Sequence, residues 1–265
     1  MNEKYLLPFK RLLDIMDELR EKCPWDKQQT FESLRTLTIE ETYELSEALI
    51  QKNFDETKKE LGDILLHIVF YAKMADEQNK FNIADVIDSL CDKLIYRHPH
   101  VFSDTEVDNA EEVVKNWEQL KIKEKNGNKT ILSGVPSSLP ALIKAERIQE
   151  KAAAVGFDWD VREQVWDKFN EELSELKDEI RNDNQANIEA EFGDLFFSLV
   201  NAARLYSVDP ETALESTNRK FIRRFAYLEN MTIHRGKSLK NMTLDEMNLI
   251  WEEAKRSDKD NRNDL

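Results

Sequence analysis

The chain has 265 residues, of which 40% are hydrophobic, and its formal net charge is −15. This length is long for one compact domain and matches two domains of roughly 130 residues each. The negative charge argues against a nucleic-acid or anionic-membrane partner, because phosphates are repelled at long range, although it leaves room for a small phosphorylated ligand.

Helical periodicity runs through both halves, and the low content of Gly and Pro, six of each, favours an all-α protein. In the first half the pattern predicts helices over about 6–21, 31–51, 56–78, 82–97 and 110–125. No stretch alternates polar and apolar residues with turn signals at strand spacing, so no strand is predicted.

The second half repeats this plan, with helices predicted over about 161–181 and 186–206 and from Pro210 to about 231. Two Gly and two Pro between 126 and 140 are typical of a linker. We therefore expect tandem helical-bundle domains over residues 1–125 and 141–265, joined by a linker over 126–140.

Features of a membrane or secreted protein are missing from the sequence. No apolar run is long enough to cross a bilayer, and the N-terminus carries acids without a cleavable apolar segment. The two cysteines, Cys23 and Cys91, have neither metal-ligand spacing nor the pattern of a disulfide framework. A cytoplasmic protein is the simplest expectation.

An acidic pattern occurs twice, at an offset of 131 residues (171 − 40 and 191 − 60). In each half, a Glu-Glu-x-x-Glu block on one predicted helix is followed by Glu-x-Gly-Asp on the next. The two copies are Glu40, Glu41 and Glu44 with Glu60 and Asp63, and Glu171, Glu172 and Glu175 with Glu191 and Asp194. A duplicated spacing of this kind indicates a site that depends on the separation of the two blocks.

Helix geometry predicts that the acids of the second copy meet. On the 161–181 helix, Lys168, Glu172 and Glu175 lie at about 60° to 120° from the centre of the apolar stripe. On the 186–206 helix, Glu191, Asp194 and Asn201 share a flank beside an apolar stripe that includes Phe192, Leu199 and Tyr206. Because a short turn makes the two helices antiparallel neighbours, the four carboxylates of Glu172, Glu175, Glu191 and Asp194 are expected to converge.

Such a cluster needs a cation or protons. Two like charges about 4 Å apart repel by roughly 4 kcal/mol at an effective dielectric constant near 20. Ligation by oxygen alone favours Mg²⁺, Mn²⁺ or Ca²⁺ over zinc. A single Glu-x-x-Glu is usually a solvated helix face, and acids near a helix start also complement its dipole. The linked and duplicated blocks favour a metal site.

Cations recur beside the acids. Lys220 and Arg224 are four residues apart on one predicted helix face, and Lys93 and Arg97 repeat this spacing in the first half. Such a pair alone is usually surface decoration, but next to an acid block it fits a phosphate clamp. Trp251 is compatible with stacking on a base and equally with a core position.

The duplicated acid blocks, Cys23-Pro24-Trp25-Asp26 and the run from Arg97 to Phe102 (RHPHVF) together resemble the MazG family. The resemblance covers nearly the whole chain. It implies an all-α nucleoside triphosphate pyrophosphohydrolase that cleaves ribo- and deoxyribonucleoside triphosphates to monophosphate and pyrophosphate. It further implies Mg²⁺ dependence, with Mn²⁺ as a substitute, broad base tolerance and a cytoplasmic homodimer.

The resemblance also implies roles for residues of the second half. The metal ligands would be Glu172, Glu175, Glu191 and Asp194. On mechanistic grounds, we further expect Glu172 or Glu175 to position the attacking water. Nucleotide contacts would come from Lys168, Glu171, Lys220, Arg224 and Trp251, with Asn201 added as a polar contact. Asn187 and Ala190 are less charged than the family pattern suggests.

The first half keeps a parallel set, Glu41, Glu44, Glu60, Asp63, Lys93 and Arg97. However, Leu37 stands at the position matching Lys168, and Phe70 at the position matching Asn201. These departures predict a weakened or regulatory first site.

Three rival interpretations remain. A di-iron carboxylate bundle needs Glu-x-x-His, and none of the four histidines has Glu three residues before it. A non-catalytic helical scaffold that binds a nucleotide or a regulator fits the same residues, as does a pyrimidine-triphosphate specialist.

Overall fold

The computed structural model describes residues 3–103, 105, 107, 109, 112–113, 116–117, 120–121, 130–234, 236 and 238–263. Within these residues the regular structure is helical and contains no strand, which confirms the all-α class. The chain divides into two compact units, Met1–Lys121 (unit 1) and Ile122–Leu265 (unit 2). Among the described helices, none combines the length and apolar character that a membrane span requires.

Unit 1 follows the predicted helices to within about three residues at each end. Its elements are α1 (Glu3–Lys22), α2 (Pro24–Gln28), α3 (Phe31–Ile50), α4 (Phe54–Glu77), α5 (Ile83–Arg97) and α6 (Pro99–Phe102). Asn82 caps α5 through a capping box with Asp85, as an Asn before an apolar-periodic run predicts. Of the predicted 110–125 helix, the residues at 112–113, 116–117 and 120–121 are helical, and the rest lie outside the described residues.

Helices α3 and α4 form the antiparallel pair of unit 1. Phe31 at the start of α3 stacks on Tyr71 near the end of α4, with ring centroids 5.6 Å apart. Helix α1 packs against α4 and contributes Met16 to an apolar cluster. The other buried members of that cluster are Leu34, Val69, Phe70 and Met74.

Unit 2 contains the second helix pair and three short 3-10 helices, Ile131–Gly134, Arg162–Gln164 and Leu239–Asn241. Its α-helices are α7 (Ala141–Ala153), α8 (Val165–Asn182), α9 (Gln185–Leu205), α10 (Pro210–His234) and α11 (Leu244–Asn263). Asp209 begins α10 as its sequence predicts, since its Oδ1 accepts a hydrogen bond of 2.6 Å from the backbone N–H of Thr212.

Helices α8 and α9 are antiparallel neighbours, as predicted. Asp183 turns the chain between them in a left-handed conformation with φ of 53°. At one end Trp166 Nε1 donates to Tyr206 Oη at 3.1 Å, and at the other Asn187 Nδ2 donates to Glu179 Oε2 at 3.0 Å. The two contacts hold the helices in register along their whole length.

Helix α7 is one of the helices that were not predicted from the sequence. Leu142, Ala145, Ile148 and Ala152 recur at spacings of three or four residues, which is a helical signal of ordinary strength. The helix packs against α9 and α10, and the 3-10 helix Ile131–Gly134 packs against α7. Part of the predicted 126–140 linker is therefore folded onto unit 2, while residues 126–129 lie outside the described residues.

The predicted apolar stripe of α9 is not the face that the unit buries. Phe192, Leu199 and Tyr206 are exposed by 42%, 46% and 39%. The buried residues of α9 are Ser198, Val200 and Ala202. The prediction was wrong because it placed the largest side chains of this stripe inward, whereas the small Ser198 and Ala202, about 40° apart on the helical wheel, are buried instead.

Candidate metal centre

Three of the predicted metal ligands converge in unit 2. Glu172 and Glu175 lie on successive turns of α8, and Glu191 faces them from α9. One carboxylate oxygen from each of the three lies within 4.8 Å of the others. The helix spacing and the tight turn after Asn182 are therefore sufficient to bring the acids together.

Asp194 lies one turn after Glu191 on α9 and is not part of that three-carboxylate cluster. It lines the same cavity as Glu172. Its negative charge also contributes to the raised pKa of Glu191. Asp194 therefore lies in the electrostatic environment of the cluster and lines the cavity beside it.

The side chain of Glu172 is more buried than its predicted position on the flank of the apolar stripe implies. Its exposure is 6%, and the other buried residues of α8, Val165 and Leu176, lie on the same face. At about 100° per residue, positions 165, 172 and 176 fall within about 40° of one another on the helical wheel, with 165 in the middle. The buried face of α8 therefore includes this acid, and its centre lies roughly 40° from the predicted one at Phe169.

The cluster is electrostatically incomplete without a cation. Burial is the largest cause that raises the pKa of Glu191, followed by the charges of Glu175, Asp194 and Glu172. Oε2 of Glu191 is buried and accepts no hydrogen bond from the described residues. Because every candidate ligand is a carboxylate oxygen, the site fits a hard cation such as Mg²⁺, Mn²⁺ or Ca²⁺.

Lys168 supplies positive charge next to the acids. Its Nζ lies 2.8 Å from Glu172 Oε1 and 3.0 Å from Glu171 Oε1. The hydrogen bond to Glu172, then the one to Glu171, raises the pKa of Lys168 far above its usual range. The ammonium group is therefore charged at any physiological pH, and the contact that Glu171 makes is with this lysine.

A cavity of about 590 Å³ opens beside the cluster, which is within the range of small-ligand sites. Lys168, Glu172 and Asp194 line one part of it, and Phe157 and Trp159 contribute aromatic surface. The cavity therefore offers both a charged wall and an aromatic wall to one ligand.

Asn201 lines the same cavity and is held by Arg204. Its Oδ1 accepts hydrogen bonds from Arg204 Nε at 3.0 Å and Nη2 at 2.8 Å. Arg204 Nη2 in turn lies 2.5 Å from Asp158 Oδ1. Asp158 and Arg204, which are 46 residues apart, were not predicted from the sequence. The sequence signal that could have indicated Asp158 is the Asp158-Trp159 pair, which contains the same two residue types as Trp25-Asp26.

The remaining predicted nucleotide contacts lie elsewhere in unit 2. Lys220 and Arg224 are on α10 and Trp251 is on α11, and none of the three is among the described residues that line the cavity. Arg224 Nε is 2.6 Å from Asp258 Oδ2, and the Trp251 ring packs 5.1 Å from Phe221. Arg224 and Trp251 therefore belong to a second group at the α10–α11 contact, and Lys220 lies one turn before Arg224 on α10.

Unit 1 repeats the cluster in part. Oxygens of Glu41, Glu60 and Asp63 lie within 4.8 Å of one another, and burial followed by the neighbouring acids raises the pKa of Glu41. Glu44 lines a separate cavity of about 590 Å³ together with Glu60.

The cations of unit 1 are arranged differently. Lys59 Nζ lies 2.9 Å from Glu60 Oε1. Lys93 is exposed on α5, and Arg97 lies over the Trp117 ring at 5.7 Å from its centroid. The matching group in unit 2 likewise places a tryptophan beside the helix that bears the Lys/Arg pair.

Comparison with known proteins identifies the family. A family model described as the MazG nucleotide pyrophosphohydrolase domain matches residues 29–102 and 162–227. The chain is 43% identical over 257 residues to a nucleoside triphosphate pyrophosphohydrolase of Escherichia coli K12, covering 94% of this chain and 98% of that protein. It is 46% identical over 253 residues to the Thermotoga maritima nucleoside triphosphate pyrophosphohydrolase/pyrophosphatase MazG, covering 94% and 96%.

A shorter match is also to a nucleoside triphosphate pyrophosphohydrolase. A Mycobacterium tuberculosis nucleoside triphosphate pyrophosphohydrolase is 38% identical over 151 residues, which are 55% of this chain and 46% of that protein. The two matched segments contain the paired acid helices of both units, α3–α4 and α8–α9. The resemblance inferred from the sequence is confirmed, and the chain belongs to the MazG family of nucleotide pyrophosphohydrolases.

Proposed function

We propose that the protein hydrolyses ribo- and deoxyribonucleoside triphosphates to monophosphate and pyrophosphate with Mg²⁺ at the unit 2 cluster. The observation that carries the proposal is the convergence of Glu172, Glu175 and Glu191 within 4.8 Å, with Glu172 in the wall of a cavity that Lys168 also lines. The names of the relatives support the same reaction.

Each acid has a role in this proposal. Glu172, Glu175, Glu191 and Asp194 hold the cation, which when bound neutralises phosphate charge and makes the phosphorus more electrophilic. Lys168 binds phosphate oxygen, because its ammonium group lies at the cavity wall. Glu172 and Glu175 are the candidates for the water-orienting base, and Glu175 is the one exposed to solvent.

In the chemical step, the water oxygen bonds to the α-phosphorus and the bond to the oxygen bridging the α- and β-phosphates breaks. The electron pair of the broken bond leaves with pyrophosphate. The proton of the water passes to the carboxylate that orients it. The residues of unit 2 therefore bind the chain of phosphates, align the water and accept its proton.

The second group, Lys220, Arg224 and Trp251, is proposed to contact the nucleotide as well. Support comes from the Lys/Arg spacing that both units share and from the tryptophan that lies beside it in each. Arg224 exchanges its partner Asp258 for phosphate in this proposal, which a bidentate guanidinium can do without losing a charged hydrogen bond.

A homodimer is part of the same proposal. Large apolar side chains on α9 and α10 are exposed, among them Phe196 at 58%, Phe221 at 56% and Ile222 at 66%. Exposed apolar residues on neighbouring helices are typical of an association surface. Light scattering should return twice the chain mass of 31.1 kDa; a monomer at micromolar concentration would contradict this part.

Release of pyrophosphate tests the reaction directly. A panel of the common ribo- and deoxyribonucleoside triphosphates should yield pyrophosphate and monophosphate in Mg²⁺ and neither product in excess chelator. Turnover of both purine and pyrimidine substrates supports broad base tolerance. Turnover confined to pyrimidines would favour an enzyme that is specialised for pyrimidine triphosphates. Binding without product would favour the non-catalytic scaffold.

A further inference from the structure

Gln149 on α7 has a side chain whose orientation is determined by the fold. It is 6% exposed, and its Nε2 donates a hydrogen bond of 2.8 Å to the backbone carbonyl of Phe197 on α9. A carbonyl oxygen only accepts, so the amide nitrogen must face it and the amide oxygen must face away. The Gln149 side chain therefore presents Oε1 as an acceptor in a fixed position.

That oxygen has no partner among the described residues. Oε1 of Gln149 is buried and accepts no hydrogen bond there, and buried side-chain acceptors in folded proteins are normally paired. Gln149 also lines the 590 Å³ cavity of unit 2. Since bulk water does not reach Oε1, a ligand donor that reaches it after a small shift of the wall meets no competition from solvent.

Asn201 contributes the complementary group to this cavity. Because Arg204 can only donate, its two hydrogen bonds orient Oδ1 of Asn201 toward the guanidinium. The Nδ2 group is then left as a donor. The cavity thus contains one oriented amide acceptor and one oriented amide donor on neighbouring helices.

The aromatic wall of the cavity explains which part of a nucleotide these amides would meet. Phe157 and Trp159 line it and are 82% and 40% exposed. Aromatic side chains of this kind stack on bases. Lys168, Glu172 and Asp194 line the charged wall, which suits phosphates and their cation.

We propose that Gln149 Oε1 accepts a hydrogen bond from an N–H group of the nucleobase, and so acts as a specificity-determining residue of the unit 2 site. This inference rests on the proposed function, since it places the triphosphate at Lys168 and the base at the aromatic wall. Every common base carries an N–H donor on its pairing edge. A single acceptor can therefore bind any of the common bases, and it selects only against a ligand that has no N–H group at this point.

The test pairs two substrates with two proteins. ATP is compared with purine riboside triphosphate, which has the same ring without the 6-amino group. For the wild type we expect kcat/KM to fall about tenfold or more for the analogue, mainly through KM, because a buried acceptor is left unpaired. Gln149→Met should lower kcat/KM for ATP by a similar factor and reduce the preference between the substrates to about threefold or less.

The matched control is Gln185→Met, the same substitution at an exposed glutamine at the start of α9. It should keep the full preference for ATP. Equal losses for both substrates in Gln149→Met would indicate a purely structural role and overturn the inference, as would a wild type that treats both substrates alike. If Gln149→Met does not fold, the wild-type comparison decides.

Failure of the proposed function gives a different result. In that case the wild type releases pyrophosphate from no triphosphate. The inference is then judged by calorimetric binding of adenosine and purine riboside, which needs no turnover. Tighter binding of adenosine that Gln149→Met abolishes supports it, and equal binding of the two nucleosides overturns it.

Discussion

The two units contain the same acids and differ in what surrounds them. Each brings three carboxylates within 4.8 Å. In unit 1, Leu37 and Phe70 occupy the positions of Lys168 and Asn201, and Phe70 is 2% exposed in an apolar cluster with Met16 from α1. Unit 2 has a cavity of about 590 Å³ in the corresponding region. A helix pair thus suffices to gather the acids, whereas a cavity at the position of Lys168 and Asn201 depends on what packs beside the pair.

The lysines next to the acids also differ between the two units. In unit 1, Lys59 on α4 pairs with Glu60, and the matching position in unit 2 is Ala190. In unit 2, Lys168 on α8 pairs with Glu172, and the matching position in unit 1 is Leu37. Each cluster therefore has its own lysine on a different helix, and Lys168 is the one that faces the cavity beside Asn201.

The largest expected effect comes from the acids that the units share. Asp194→Ala or Glu172→Ala should reduce pyrophosphate release by about a thousandfold or more, because each removes a cation ligand. Asp63→Ala, the matched change in unit 1, should stay within about threefold of wild type. Near wild-type release by Asp194→Ala, with an unchanged circular dichroism spectrum in all variants, would contradict the assignment.

A smaller effect is expected when unit 2 is given the residue of unit 1. Lys168→Leu removes the charge that meets phosphate and should lower kcat/KM by roughly a hundredfold. Lys59→Leu removes the lysine of the unit 1 cluster and should leave kcat/KM within about twofold. If Lys168→Leu and Lys59→Leu lower kcat/KM by the same factor, the two clusters contribute equally to the activity, and the proposed difference between the units is wrong.

Removal of metal should couple stability to pH in both units. The pKa values of Glu41 and Glu191 are raised in the folded chain, so their protonation favours the folded metal-free state. Without metal, the melting temperature should fall as pH rises from the ordinary glutamate pKa of 4.5 through the raised values. Mg²⁺ competes with these protons, and the stabilisation it gives should grow over the same range.

Differential scanning fluorimetry with Mg²⁺ and with chelator checks this expectation. Glu41→Gln together with Glu191→Gln removes both titrating groups and should flatten the pH dependence of the Mg²⁺ effect. A stabilisation by Mg²⁺ that is as large at pH 4 as at pH 8 would count against cation binding by these carboxylates.

The smallest expected effect concerns the last helix of each unit. In unit 1, Lys121 lies 3.9 Å from the Trp117 ring centroid. In unit 2, Asp258 pairs with Arg223 and Arg224, and the hydrogen bond from Arg223 is the largest cause that lowers its pKa to about 2. Asp258→Asn should destabilise the fold by about 1 kcal/mol at pH 7.

The sign follows from the lowered pKa. The stabilisation is present above 3.8, the ordinary value for Asp, and is lost as pH falls through about 2. Urea unfolding of wild type and Asp258→Asn should therefore converge toward pH 2. Asp245→Asn, an exposed change at the start of α11, is the control and should match wild type at both pH values. A gap between Asp258→Asn and wild type that is constant with pH would exclude the ion pair as its source.

Part of this site was predictable from local rules. Helical periodicity and caps predicted most of the helices of both units, including the start of α5 at Asn82 and of α10 at Asp209. Three-residue spacing on one helix and a short turn to the next predicted the meeting of Glu172, Glu175 and Glu191. These features depend on neighbours within a few residues, and such neighbours are visible in the sequence.

Other features depended on contacts between distant segments. The orientation of the Gln149 side chain depends on its hydrogen bond to the carbonyl of Phe197, 48 residues away. The position of the Arg204 side chain likewise depends on Asp158, 46 residues away. The burial of Glu172 and the exposure of Phe192 likewise depend on which helices cover α8 and α9.

The sequence by itself determined that this chain is helical, duplicated and able to bring acids of neighbouring helices together, because helix periodicity and turn length are local properties. Only the tertiary structure decided where each duplicate has its cavity, which lies beside Glu44 and Glu60 in unit 1 and beside Lys168 and Asn201 in unit 2. That outcome depends on how α1 and α7 pack beside each helix pair. In unit 1 the position matching Asn201 is Phe70, whose side chain fills an apolar cluster instead.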